Sequence, residues 1–151
     1  MAAEIAENKA VIFSVGQEEY AVPISSVKEV VPWTKPRPVP EAQSIVEGVV
    51  DLRGDIFPVI DLGKRFGTGR SREPADSRIM VIDVEGRQVG FVVDEVTEVC
   101  TYTSDQVKPP SPLLRRGHSD PMVSGILKVG ENRLVVLVEV AKVLTEELHG
   151  F

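Results

Sequence analysis

The chain repeats itself, and that repetition limits what it can fold into more than any motif does. Residues 10–30 read AVIFSVGQEEYAVPISSVKEV and residues 79–99 read IMVIDVEGRQVGFVVDEVTEV, in one register without a gap. Val15 falls on Val84, Val27 on Val96, Glu29 on Glu98 and Val30 on Val99. A second pair of segments, 46–66 and 123–144, matches in the same order. Gly48 falls on Gly125 and, with one residue inserted, Asp61, Leu62 and Lys64 fall on Glu139, Val140 and Lys142. A duplicated run of elements must fold into the same unit twice.

Each copy holds an apolar strand, a polar turn with one glycine (Gly16 or Gly86) and a second strand, then a further pair of strands around Gly54 or Gly130. Short Val/Ile-rich strands at regular turn spacing favour barrels or sandwiches over helical folds. The fold class expected is therefore all-β: two pseudo-symmetric small barrels of about five strands each, with a short C-terminal helix. The first barrel is expected over roughly residues 9–70 and the second over roughly 77–151, with room for exchange of strands between them. The nearly continuous apolar run LVVLVE (134–139) is expected inside the molecule, between the barrels.

Helical spacing is confined to the ends of the copies. Val140, Val143, Leu144 and Leu148 recur on one face, with Lys142, Glu146 and Glu147 on the other. A shorter helix is expected over Leu62 to Phe66, stopped by Gly67. The stretches 32–44, 67–78 and 108–121 read as loops, the middle one as the linker between copies, and part of the first as an edge strand. About ten N-terminal residues are expected to be mobile.

Composition excludes several functions. A formal net charge of −6 with no basic stripe argues against nucleic acid. The opening MAAEIAENKA has neither the basic nor the apolar region of a signal peptide. No apolar run approaches the ~20 residues of a bilayer span. The single cysteine, Cys100, allows no intrachain disulfide and no cysteine-based metal site, in keeping with a reducing cytoplasm. It reads as a small hydrophobe within a strand.

Few residues are placed for chemistry. His118, Ser119 and Asp120 are neighbours in one loop and cannot form a triad, which needs side chains from separate elements. The other histidine, His149, lies near the C-terminus. Asp51, Asp55 and Asp61 have no histidine beside them and read as surface carboxylates. No phosphate-binding glycine loop occurs, and no cofactor is expected. Arg53, between Leu52 and Gly54, stands out. The residues alone leave two roles open: an arginine pinned by Asp51 or Asp55, or a guanidinium presented to a partner.

The stretch GVVDLRGDIFPVIDL (48–62) resembles the signature of CheW-family domains, G-V-x-N-L-R-G followed by an apolar strand and D/N-L, with Asp51 where Asn is usual. YAVPISSVKEVV (20–31), VGFVVDEVTEV (89–99) and GILKVGENRLVVLVEVAKVL (125–144) resemble further family segments, in the right order, so that the likeness spans about residues 9–148. The resemblance implies two SH3-like barrels around a shared apolar seam. It also implies a non-enzymatic adaptor at membrane-associated receptor arrays in the cytoplasm. Such an adaptor couples the signalling tip of a chemoreceptor to the regulatory domain of the CheA histidine kinase. Carried over residue by residue, the receptor-binding positions are Val27, Glu29, Val30 and Arg53 from the first copy and Phe91, Val92 and Val93 from the second. The kinase contact falls on the first barrel, on residues the sequence does not specify. The competing reading is a barrel that binds a small ligand between the copies, and a hydrolase is a weaker third.

Overall fold

The structure, a computed structural model, describes residues 7–40, 42, 44–68, 74–109 and 122–144. Five strands and a helix come from the first copy: β1 (Glu7–Val15), β2 (Glu18–Pro23), β3 (Val27–Pro32), β4 (Val46–Leu52), β5 (Asp55–Asp61) and α1 (Leu62–Phe66). The second copy supplies β6 (Arg78–Val84), β7 (Arg87–Val93), β8 (Glu95–Thr103), the short β9 (Val107–Lys108), β10 (Val123–Val129), β11 (Arg133–Val138) and α2 (Val140–Val143). Of the ten N-terminal residues expected to be mobile, 7–10 belong to β1, which is paired on both sides from Ala10 to Ser14. Residues 1–6 lie outside the described residues, as do most of the 108–121 loop and the helix expected beyond Leu144.

The strands make two SH3-like barrels whose sheets run β3-β6-β7-β5-β4 and β8-β1-β2-β11-β10-β9. Neither sheet is contiguous in sequence. The first takes β6 and β7 from the second copy, and the second takes β1 and β2 from the first. Each barrel is thus completed by the leading hairpin of the other copy, and the boundaries 9–70 and 77–151 follow the repeats but not the sheets. The exchange is symmetric. The parallel pairing of β5 with β7 (Ile60 opposite Phe91) answers that of β11 with β2 (Leu137 opposite Ala21).

Turn chemistry sets these hairpins. Gln17, Arg53 and Glu85 have positive φ, each beside a glycine in the same conformation (Gly16, Gly54, Gly86). Paired positive φ values fit the right-handed twist of tightly connected strands. The glycines that align between copies, Gly48 and Gly125, have another cause. A Cβ on Gly48 would stand 2.3 Å from the carbonyl oxygen of Arg37, which bridges to Val49 from the proline-rich segment. A Cβ on Gly125 would stand 2.5 Å from Val107, in the matching strand β9. In both barrels a neighbouring segment, an isolated bridge in the first and β9 in the second, passes where only glycine leaves room.

Alternation along the exchanged hairpins fills three cores. Ala10 and Ile12 of β1 point into the second barrel with Ala21, Leu127, Val135 and Leu137. Val11, Phe13 and Val15 point the other way, into a seam shared with Tyr20, Val22, Met80, Ile82, Phe91 and Val93. Ile79, Val81 and Val92 fill the first barrel with Phe57 and Val59. A strand buried on both faces reads as an unbroken apolar run. The run 134–139 divides: Val135 and Leu137 enter the second barrel and Val138 the seam, while Leu134 is 64% exposed.

Two short helices lie across the seam. Asp61, expected at the surface, is buried and caps α1, its Oδ1 accepting from the Gly63 N–H at 2.9 Å. From α1, Phe66 packs on Tyr20 of the other sheet, with ring centroids 4.6 Å apart. Arg65 Nε donates to the carbonyl of Val143 in α2 at 2.8 Å. Gly67, at φ 78°, ends the helix where the sequence places the stop.

Candidate partner-docking face

The β4–β5 turn and the β3 edge bring two of the sequence-derived residues together. β3 ends its sheet. Val27 lies half-buried against the seam core, Glu29 is half-buried, and Val30 is 39% exposed. The turn holds Arg53 in the left-handed region, at φ 54°. Its Nη2 donates to Glu29 Oε2, joining residues 24 positions apart. The pinning partner is therefore Glu29. Asp51 instead stabilises the turn, where its Oδ1 accepts from the Gly54 N–H at 2.9 Å. The Arg53 side chain remains 68% exposed, so the pair presents a guanidinium rather than burying one.

Phe91, Val92 and Val93 stand elsewhere. All three are fully buried: Phe91 and Val93 in the seam and Val92 inside the first barrel. The reason is the hairpin exchange. β7 is flanked by β6 and β5 and covered on both faces, so none of its three side chains reaches solvent. They support the β3 edge through the core and do not form a wall that a partner could touch.

The second copy's exposed counterpart lies on β8, the end strand of the other sheet. Val96, at the repeat position of Val27, also lies against the seam core, and Val99, at that of Val30, is 52% exposed. Both edges therefore border the same seam. Glu98, matching Glu29, likewise meets an arginine beside a hairpin turn: Arg133 Nη1 donates to Glu98 Oε1 at 3.0 Å. Here the arginine carries more. Its Nε and Nη2 both donate to the Glu19 carboxylate at 2.7 Å. That bidentate hydrogen bond holds the Glu19 carboxyl below the ordinary range and raises the Arg133 guanidinium. Sequence reasoning missed Arg133 because it falls on the repeat position of Asp55, two residues beyond that of Arg53. Two further exposed apolar residues, Ile56 at 68% and Leu134, are each second in their strand.

Chemically, the face offers apolar side chains and fixed charges. Among the described residues no group of three or more His, Cys, Asp or Glu is placed to hold a metal ion, and no helix is long and apolar enough to cross a membrane. The Cys100 thiol is half-buried, and burial pushes its pKa up, away from the reactive thiolate. His118 and His149 lie outside the described residues.

Two exchanged SH3-like barrels with ion-paired, apolar edges define a protein-recognition scaffold. The chain belongs to the CheW-like domain family, which it matches over residues 9–148. It is 34% identical over 137 residues to the chemotaxis protein CheW of Rhizobium meliloti (strain 1021), covering 91% of this chain and 87% of that one. It is 33% identical over 148 residues to the chemotaxis protein CheW of Bacillus subtilis (strain 168), covering 97% and 94%. The crystal structure of the scaffolding protein TtCheW from Thermoanaerobacter tengcongensis superposes with a TM-score of 0.85 at 32% identity, covering 97% of this chain and 98% of that chain.

Proposed function

We propose that this chain is a non-catalytic chemotaxis adaptor that couples the signalling tip of a chemoreceptor to the regulatory domain of the CheA histidine kinase. It works in the cytoplasm and reaches membrane-associated receptor arrays through those partners. The observation that carries the reading is the Arg53–Glu29 pair beside exposed Val30 on an edge strand. An amphipathic helix fits such a surface, its apolar side on the valines and its polar flank on the charges. Val27, Glu29, Val30 and Arg53 form one rim of the receptor contact. In place of the buried Phe91, Val92 and Val93, the second rim falls to Val96, Glu98 and Val99. The kinase meets a separate surface on the first barrel, for which Ile56 supplies the exposed apolar anchor.

The filled seam supports this reading over a small-ligand barrel. Phe13, Met80, Ile82 and Phe91 occupy the space between the sheets and are fully buried. The test is kinase activity in complexes reconstituted from receptor, kinase and this protein. Activity is expected to rise when the protein is added and to stay low with the Arg53→Ala variant. Equal activity with and without the protein refutes the adaptor reading.

A further inference from the structure

The two rims match in their apolar residues and differ in charge. Val27 and Val30 on β3 are the repeat positions of Val96 and Val99 on β8, so apolar contact alone would accept a helix laid across the seam in either direction. At the β3 rim one guanidinium meets one carboxylate, and Arg53 is exposed enough to donate to a third group. At the β8 rim one guanidinium meets two carboxylates. All three nitrogens of Arg133 are engaged with Glu19 and Glu98, and Glu98 remains exposed. The first rim therefore offers hydrogen-bond donors and the second a surplus negative charge.

We infer that this difference fixes the direction of the docked helix: an acidic residue of the partner faces Arg53 at the β3 rim and a basic residue faces Glu98 and Glu19 at the β8 rim. The inference rests on the receptor-docking reading and adds to it the charge pattern of the helix. Reversing the helix brings its base toward Arg53 and its acid toward Glu98, so two attractions become two repulsions. Charge arrangement of this kind sets register and excludes wrong alignments more than it adds affinity.

The test is disulfide trapping in a Cys100→Ala background. Val30→Cys or Val99→Cys is mixed with a chemoreceptor cytoplasmic fragment that carries one cysteine at either end of the tip segment that docks. Each site is expected to trap one end over the other by about five-fold or more, with opposite preferences. In Arg53→Gln/Glu98→Gln, at saturating fragment, the preference is expected to fall below about two-fold. Raising the ionic strength should do the same with the rim charges intact, because exposed charges are screened within roughly 10 Å at 0.1 M salt. Equal trapping of both ends with the native rim charges, or a preference that survives both charge removal and high salt, overturns the inference and leaves the docking reading standing. No trapping at either cysteine overturns the docking reading and the inference with it.

Discussion

Replacing Phe91 by alanine separates a core residue from a contact residue. Phe91 is fully buried in the seam beside Met80, in register with Ile60 on one side. Truncation removes most of the ring from a close-packed site shared by both sheets and leaves a void. Phe→Ala in such a site costs about 3–5 kcal/mol. For a chain of 151 residues, each kcal/mol lowers Tm by roughly 2–4 °C, so the expected fall is roughly 6–20 °C. Arg53→Ala removes one exposed ion pair, worth at most about 1 kcal/mol, and should move Tm by a few degrees at most. The assay is a thermal melt of each variant beside a titration with receptor fragment at a temperature where both are folded. Phe91→Ala should melt early yet bind with near-native affinity, and Arg53→Ala should show the reverse. If Phe91→Ala melts within a few degrees of the native protein and loses receptor binding, Phe91 is a contact and its placement in the seam is wrong.

Arg53→Ala is expected to weaken receptor binding at least several-fold, as interface arginines commonly cost ~2 kcal/mol on truncation; native binding with a native melt would mean that the β3 rim is misplaced. Gly48→Ala should cost clearly more stability than Gly54→Ala in denaturant titration. Its Cβ meets the Arg37 backbone while that of Gly54 meets open space, although both have positive φ. Because Arg133 lowers the Glu19 pKa, the pair stabilises the fold at neutral pH, and that contribution is lost as pH falls through the lowered value. Glu19→Gln should therefore flatten the acid side of the stability–pH curve, and an unchanged curve would show the pair to be energetically silent. His118→Ala should leave receptor binding and kinase activation intact, measured in the same reconstituted complexes.

The repeats made the strands, turns and all-β class legible, because Val/Ile alternation and turn glycines are local signals. The exchange of hairpins was not legible in the same way. β1 and β6 carry equivalent patterns, so either hairpin fits either sheet by periodicity, and the choice is made by the crossings at Ile24–Ser26 and Asp94, where the chain passes from one sheet to the other. Asp94 secures its crossing with a carboxylate that accepts from the Gly16 N–H at 2.8 Å, a bond between residues 78 apart that no local pattern announces. At the candidate site the Arg53–Glu29 pair joins two residues that the family resemblance implies for the receptor contact. Phe91 to Val93 misled because a strand covered on both faces and an apolar docking wall have the same composition. Val99 stands in the repeat opposite Val30, but only its position at a sheet end shows that it is exposed.

Because each barrel borrows its leading hairpin, neither can close when half of the chain has been made. β3 and β5 wait for β6 and β7, and β2 waits for β11, which lies more than a hundred residues further on. During synthesis the first copy therefore leaves the ribosome with open strand edges, which invite pairing with other chains. Such long-range closure also slows folding, since distant partners must meet before any contact rewards them. A break in the linker between the copies would not yield two independent barrels. It would yield two fragments, each lacking two strands of its sheet, able to regain the fold only by finding one another.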